Sequence, residues 1–321
     1  MNLAAGLDRR RVIFFISDNG FIVIFVLWCL FLATQTDRFL TPENIFVVLR
    51  QAAIIGLVAI GESLVVLLGG MDVSVASTLG LCAIVFVAAI VTFGLPPALA
   101  ALAALAVGAL VGVVNGVLVT VVGINPIIAT LGMMTILNGL GQMYTQGRTI
   151  YGAEMNQVGF LYSGFVGPVP VPVIILFIFY LIAHFMLNHS MFGAHIYATG
   201  SNPKATWLSG IKTGRIRLYA FILAGTMAGC GALIAAARRG SAGPGMGDSF
   251  LFPILTAVIL GGISLSGGRG RILNVLVAAI FLMAIDNGLI LLGADLNAQR
   301  IVSGAILIIA LSLDRLRAMV R

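Results

Sequence analysis

Charged residues are scarce in this chain of 321 residues. Only 9% of its residues are Asp, Glu, Lys or Arg, whereas 60% are apolar, and a typical soluble domain has about 25% charged and about 45–50% apolar residues. A soluble fold could not bury that much apolar surface. The few charges also exclude a disordered chain and a basic nucleic-acid-binding face, although the net charge is +7. The composition predicts a polytopic membrane protein that contacts lipid and no nucleic acid.

Motifs for catalysis, metal binding and nucleotide binding are missing as well. The three cysteines, Cys29, Cys82 and Cys230, lie in separate apolar runs without the spacing of a metal or redox site. The chain has no G-x-x-x-x-G-K-[ST] loop and no G-x-G-x-x-G between a strand and a helix. We therefore expect no catalytic residue, no metal and no cofactor in this chain, and no ATP hydrolysis of its own.

Long continuous apolar runs favour spanning helices over a β-barrel, whose strands would alternate over short segments. We predict an all-α polytopic membrane protein with about ten transmembrane helices, forming a single domain over residues 1–321. The pair Thr41-Pro42 is typical of a helix start and opens a stretch that could lie in the interface. The first span is expected to be retained, because no good cleavage site follows it. The predicted spans lie at about 21–36, 51–68, 74–93, 97–122, 126–146, 171–187, 217–237, 251–265, 271–292 and 298–313.

The positive charges predict the orientation. With ten spans and an inside N-terminus, the cytoplasmic side holds residues 1–20, the 188–216 connection, the 266–271 turn and the 314–321 tail. Twelve of the 18 Lys and Arg residues then lie inside, as the positive-inside rule requires. Arg238 and Arg239 fit this orientation poorly, because they follow a span and would face outward. An ion pair with Asp248 or a contact with a partner protein would account for them.

Two glycine-rich breaks interrupt apolar runs, one at 69–74 (GGMDVS) and one at 261–268 (GGISLSGG). Broken helices at membrane depth are tolerated where protein or a water-filled cavity satisfies the freed backbone groups, so the breaks point to a transport path. Glu62, Asp72 and Asp286 are ionisable residues in or near spans, where charge burial costs roughly 2.5–3.5 kcal/mol. These acids leave open a proton-coupled secondary transporter, and a passive channel or purely structural membrane subunit is a further alternative.

A short helix is predicted inside the 188–216 connection. Asn202 before Pro203 is typical of an N-cap with Pro at the first position, and Gly210 is typical of a helix end, so the helix has about two turns. It is too short to span a membrane. Ala205, Leu208 and Ile211 could share one side of it and dock into a groove on another protein, although an ordinary surface helix would have the same pattern.

Five ordered motifs carry a family resemblance: GGMDVSV (69–75), PIIATLGMM (126–134), GSNPKATWLSGI (200–211), GGISLSGGRG (261–270) and DNGLILLG (286–293). Over about residues 41–313 the chain resembles the permease subunits of ribose-, xylose- and arabinose-type ABC sugar importers. The resemblance implies a bacterial inner-membrane protein with cytoplasmic termini, which imports a monosaccharide or similar polyhydroxylated solute by alternating access. It implies three partners: a second, identical or paralogous permease subunit, a cytoplasmic ATPase with tandem cassettes that binds ATP and Mg²⁺, and a periplasmic sugar-binding protein.

The resemblance also implies residue roles. The helix that couples to the ATPase would comprise Asn202, Pro203, Lys204, Ala205, Leu208, Ser209, Gly210 and Ile211. The candidate translocation path would comprise Gly69, Gly70, Asp72, Ser74, Asn115, Thr130, Ser264 and Asn287. Family members often carry Asn where this chain has Asp286, and some carry acids where it has Leu251 and Pro253. These departures leave the identity of the sugar open.

Overall fold

The computed structural model describes residues 23–295, 297–299, 301–302, 304–309 and 312. The cytoplasmic segments predicted at 1–20 and 314–321 lie outside these residues. The helices are α1 Val23–Gln35, α2 Pro42–Leu67, α3 Val75–Val91, α4 Pro97–Thr120, α5 Pro126–Thr145, α6 Phe160–Ser163, α7 Val171–His189, α8 Met191–Ser201, α9 Pro203–Leu208, α10 Thr213–Arg239, α11 Leu251–Leu260, α12 Ile272–Leu291 and α13 Asn297–Ile309. Short 3₁₀ helices lie at Ala153–Val158 and Asp248–Phe250.

Five of these helices, α2, α4, α7, α10 and α12, are long and apolar enough to cross a membrane by length and composition. α1, α3, α11 with its preceding 3₁₀ turn, and α13 are shorter apolar helices. An integral, helical membrane protein is therefore confirmed, and the count of ten spans stays a prediction.

The second span is longer than predicted. Thr41 caps α2 through its side chain, which accepts a hydrogen bond from Asn44 N at 3.4 Å, and Pro42 occupies the first turn. From there α2 continues without a break for 26 residues, which corresponds to about 39 Å at 1.5 Å per residue. The expected interfacial stretch is thus the first part of the same helix, because no residue between Pro42 and Leu67 interrupts the backbone hydrogen bonds.

Glycines bring α4 and α10 into backbone contact. A Cβ added at Gly108 would collide with the carbonyl oxygen of Gly225, and one added at Gly112 would lie 2.7 Å from Ile222 Cα. Gly116 lies just as tightly against Leu218. The small-residue spacing on both helices therefore serves close helix packing, and it holds α4 and α10 together in the centre of the bundle.

The span predicted at 251–265 is too long, because α11 ends at Leu260. Gly261 packs so closely on α12 that an added Cβ would lie 2.7 Å from Val275 Cα, and Gly262 follows with a φ of +82°. A close approach and a left-handed residue in succession stop the helix, and residues 261–271 continue as a loop.

The bundle has two distinguishable ends. At one, here called the β end, β1 Ile150–Tyr151 pairs antiparallel with β4 Ser241–Ala242, and β2 Phe165–Val166 pairs antiparallel with β3 Val169–Pro170. At the other, the α9 end, lie α8, α9, the C-terminus of α2 and the 261–271 loop. The long helices α2, α4 and α10 run between these ends, so each break or loop can be assigned to one of them.

Candidate functional site

A buried polar cluster lies at the glycine-rich break between α2 and α3, near the α9 end. The cluster draws its residues from α2, the break, α4 and α5. All of them are buried: Asp72 is 2% exposed, and the other four are 0% exposed, namely Glu62, Ser74, Asn115 and Thr130. Glu62 Oε1 accepts a hydrogen bond from the Asp72 backbone N–H at 3.1 Å. Asp72 Oδ1 accepts from both the backbone N–H and the hydroxyl of Ser74.

Asn115 and Thr130 complete this cluster. The Asn115 side-chain amide donates to Ser74 Oγ at 2.9 Å and to Asp72 Oδ2 at 3.4 Å. Thr130 Oγ1 accepts from Val73 N at 3.1 Å. The bonds from the backbone N–H groups of Asp72, Val73 and Ser74 satisfy donors freed by the helix break, as a break at membrane depth requires. The structure thus brings together four of the predicted path residues, Asp72, Ser74, Asn115 and Thr130, around Glu62.

Two acceptor atoms in the cluster, Glu62 Oε2 and Asn115 Oδ1, have no hydrogen-bond partner among the residues that the structure describes. A buried acceptor without a partner is costly, about 1–3 kcal/mol. Both atoms can accept a hydrogen bond from a hydroxyl group, which is the donor that a sugar offers. From the sequence, Glu62 was identified only as an ionisable residue in or near a span. Its hydrogen bond from the backbone N–H of Asp72 was not predicted.

Two other predicted path residues lie elsewhere. Asn287 exchanges two side-chain hydrogen bonds with Asn44, at 2.9 and 2.8 Å, where α12 packs on the first turns of α2. Asp286, its neighbour on α12, is therefore also distant from Glu62. Ser264 lies in the 261–271 loop and bonds within it, to Arg269 O and Ser266 N. Ser264 and Asn287 thus lie apart from the cluster around Asp72, and their part in the path stays a prediction.

The two glycine-rich breaks meet at a contact that we call the glycine junction, formed by Leu67, Gly69, Gly200, Gly267 and Gly268. Gly268 N donates to Leu67 O at 2.8 Å. A Cβ at Gly200, at the end of α8, would collide with the same oxygen, and one at Gly267 would lie 2.9 Å from Gly69 N. Backbone segments from α2, α8 and the 261–271 loop therefore pack directly on one another, next to the buried cluster.

Tyr197 adds a second link between α8 and the 261–271 loop. Its hydroxyl donates to Gly270 O at 3.0 Å. Burial raises the pKa of the Tyr197 phenol, while the positive charge of Arg271 lowers it. α8 itself was missed in the sequence, because its residues 191–201 mix glycine, histidine and threonine and have no strong apolar period. The hydroxyl of Ser190, which caps α8 by accepting from Gly193 N, was the available signal.

The predicted short helix exists as α9. Asn202 caps it by accepting a hydrogen bond from Ala205 N at 2.9 Å, and Gly210 follows it with a φ of +84°. Trp207 and Leu208 are 63% and 70% exposed, whereas Thr206 is buried. The exposed apolar surface is therefore formed by Trp207 and Leu208.

The expected apolar side of α9 needs correction. Ile211 is half-buried and packs against the hydrophobic core, so it does not share an exposed face with Leu208. Trp207, not Ile211, forms the exposed apolar face together with Leu208. A tryptophan in a short polar connection was the feature of the sequence that could have indicated this. Lys204, Ala205, Ser209 and Gly210 are exposed around the same helix.

Arginines and aromatic rings cluster at the β end. The guanidinium of Arg50 lies 5.7 Å from the Tyr162 ring centroid and 4.8 Å from that of Phe165, and the guanidinium of Arg238 also lies 5.7 Å from Tyr162. Among the described residues, neither Arg238 nor Arg239 forms the ion pair with Asp248 that the sequence left open. Arg238 instead forms a cation–π contact with the Tyr162 ring, which Arg50 also contacts.

Comparison with known proteins gives one family and a set of curated relatives. The profile described as "Branched-chain amino acid transport system / permease component" matches residues 44–311. A ribose import permease protein of Bacillus subtilis is 39% identical over 298 residues, covering 92% of this chain and 91% of that protein. A D-allose transport system permease protein of Escherichia coli is 33% identical over 305 residues (95% and 93%), and a fructose import permease protein of Rhizobium meliloti is 30% identical over 285 residues (87% and 79%). No solved structure gives a significant match.

Proposed function

The chain belongs to the permease family of ATP-binding-cassette importers, and from this membership we propose that it forms the membrane pathway for a monosaccharide or similar polyhydroxylated solute. The observation that carries the proposal is the likeness to ribose, D-allose and fructose permeases over almost the whole chain. The motif-based resemblance to sugar importer permeases is confirmed by these comparisons.

The proposed assembly has two permease subunits, a cytoplasmic ATPase and an external solute-binding protein in a bacterial inner membrane. ATP and Mg²⁺ bind to the ATPase, so this chain is a non-catalytic subunit. The α9 end faces the cytoplasm and the β end faces outward. This orientation follows if the single domain crosses the membrane ten times and has both termini in the cytoplasm. Arg215 and Arg217 at the start of α10 and Arg269 and Arg271 before α12 support this orientation.

Coupling to the ATPase occurs through α9. An exposed tryptophan and leucine on a capped helix of six residues provide an apolar knob of the kind that inserts into a groove on another protein. α9 follows α8 after the single residue Asn202, and α8 ends at the glycine junction. A displacement of α9 is therefore transmitted to the break between α2 and α3, because the backbone segments between them are closely packed and cannot easily deform.

The transport path runs along this break. Alternating access would open the buried cluster, so that Asp72, Ser74, Asn115 and the free acceptors meet solute hydroxyls. Gly69, Gly70 and Thr130 lie beside it on the break and α5. Ser264 in the 261–271 loop and Asn287 nearer the β end would line other parts of the path. Solute delivery and ATP hydrolysis would be linked by a coupling free energy, so each affects the other.

The test of this function is a substitution on α9. We expect Leu208→Asp to abolish ATP-dependent uptake in cells that express all subunits, because a carboxylate cannot enter an apolar groove without a large desolvation cost. The matched control is Val121→Asp, since Val121 is 76% exposed and lies outside α9, after α4. Both variants should reach the membrane in normal amounts.

The possible outcomes separate the alternatives. Normal uptake by Leu208→Asp would refute the role of α9. Uptake by the purified chain alone in vesicles, driven by a pH gradient, would favour a proton-coupled transporter that uses Glu62, Asp72 and Asp286. Saturable flux down a gradient, without ATP and without proton coupling, would favour a passive channel.

A further inference from the structure

A cavity of about 330 Å³ opens at the β end between α2, α10 and the segment before α11. Its volume is at the lower end of the range typical of small-molecule sites, about 300–1,000 Å³. Its polar wall is formed by Arg238, Arg239 and Ser249, and its apolar wall by Ile54, Ala235, Met246 and Phe250. A cavity of this volume can hold one monosaccharide-sized molecule, and its lining offers both an aromatic ring and guanidinium groups.

The positive charge around this cavity is not compensated within the described residues. Arg50, Arg238 and Arg239 form no ion pair with a described carboxylate, and the Nε atom of Arg50 is buried without a hydrogen-bond partner. Arg50 and Arg238 both contact the Tyr162 ring, each with its guanidinium 5.7 Å from the ring centroid.

The carboxylates of Asp248 and Glu154 and the helix α11 do not neutralise the positive charge at the cavity. Asp248 is exposed at the start of the 3₁₀ turn and pairs with none of the three arginines, and Glu154 is exposed in the other 3₁₀ helix. The chain continues from Phe250 into α11, which contains no charged residue. The charge at the cavity is thus positive, and the group that fits it is an anion.

The chemistry of guanidinium groups narrows the class of ligand. Arginine presents a planar fork of donors that binds carboxylate or phosphate oxygens with two parallel hydrogen bonds. Ser249 adds a hydroxyl, which can pair with a hydroxyl of the ligand, and the apolar wall can cover the carbon face of a sugar. Arg238 and Arg239 are exposed and hydrated, so an acidic ligand is favoured over a neutral sugar by the bidentate, charge-assisted hydrogen bonds that its acidic group forms with a guanidinium.

We propose that this cavity is an outer subsite for a polyhydroxylated solute that carries an acidic group, such as a sugar acid. The proposal rests on the proposed function, because the cavity lies on the solute's route only if the chain is an importer permease with its β end outward. It goes beyond the neutral sugars named in the curated relatives. Arg238 and Arg239 would bind the acidic group, and Arg50 would hold the Tyr162 ring behind it.

The test compares D-gluconate with D-glucose, because the two differ by the carboxylate group. The purified chain in detergent is heated with each compound at the same ionic strength, set with sodium chloride. D-gluconate should raise the melting temperature with a saturable dependence on concentration, as a ligand that binds only the folded state does, and D-glucose should not. Added salt should weaken the effect, since it screens exposed charges.

Variants locate the binding. Arg239→Gln should weaken gluconate binding at least tenfold, and Arg239→Lys should have an intermediate effect, because it keeps the charge but loses the fork. The control is Arg148→Gln, since Arg148 is an exposed arginine of the same end that does not line the cavity. The proposal is overturned if gluconate and glucose shift the melting temperature equally, if neither shifts it, or if Arg239→Gln binds as the unmodified protein does.

Failure of the subsite and failure of the proposed function give different results. ATP-dependent uptake of a neutral sugar, with no competition by sugar acids, would remove the subsite and leave the importer intact. Absence of ATP-dependent uptake of any solute would remove the proposed function itself. If only the binding protein, and no small acid, responds to Arg239→Gln, the arginines form a protein contact and the subsite is refuted.

Discussion

Gly108→Ala tests whether the backbone contact between α4 and α10 holds the bundle together. The new Cβ would collide with Gly225 O and lie 3.0 Å from Gly225 C and 3.3 Å from Cys82 Sγ. Overpacking costs about 1–3 kcal/mol, and the upper end applies because the opposing atoms are backbone and cannot rotate away. Alanine is a better helix former by at most about 1 kcal/mol. The net loss of unfolding free energy is therefore about 2 kcal/mol.

Gly132→Ala on α5 is the matched control for this prediction. An added Cβ at Gly132 meets no atom within 4 Å, so this variant keeps only the gain in helix propensity, about 1 kcal/mol at most. The measurement is denaturant-induced unfolding of both purified variants in the same detergent. The two should differ by about 3 kcal/mol, the sum of the predicted loss and gain. If Gly108→Ala is as stable as Gly132→Ala, the helices can separate at little cost and the packing argument is refuted.

Three further substitutions test single contacts. Asn202→Ala removes the side-chain cap of α9 and should destabilise that helix by about 1 kcal/mol, lowering ATP-dependent uptake while Asn202→Ser keeps it; equal uptake by both would contradict this. Tyr180→Phe removes the hydrogen bond of 3.1 Å from the buried Tyr180 hydroxyl to Gly56 O and should lower the unfolding free energy by about 0.5–1.5 kcal/mol in detergent, and an unchanged midpoint would count against the contact. Asn287→Leu leaves Asn44 Oδ1 without its donor, while Asn44 Nδ2 keeps its bond to Phe39 O. The variant should lose about 1–3 kcal/mol of unfolding free energy, which Asn44→Leu in the same chain should partly restore; no recovery in the double variant would show that the pair is not coupled.

Local sequence features predicted several elements well, because the signals are contained in one turn of helix. Thr41 with Pro42 gives the start of α2, and Asn202 with Pro203 gives the start of α9. Each pair acts through a cap bond within three residues and through the fixed φ of proline, so no distant residue is needed. The glycine-rich breaks at 69–74 and 261–268 were also visible, since glycine and hydroxyl residues interrupt long apolar runs there.

Contacts between distant segments were not predictable in the same way. The motifs propose Asp72, Ser264 and Asn287 as path candidates without giving their relative positions, and the structure pairs Asn287 with Asn44 on the first turns of α2. Nothing in a single sequence specifies which face of α12 meets which turn of α2. Likewise, Trp207 rather than Ile211 completes the exposed face of α9, because Ile211 packs against the core.

The sequence by itself determined that this protein lies in a membrane, which family it resembles, and which short segments cannot be continuous helix. These properties follow from composition and from motifs, in which each residue acts on its immediate neighbours. Only the tertiary structure decided that the two breaks and α8 meet at the glycine junction, that Glu62 joins the cluster around Asp72, and that arginines border a cavity at the β end. Such contacts join residues far apart in the chain, and they form only when helix packing has fixed the relative position of every segment.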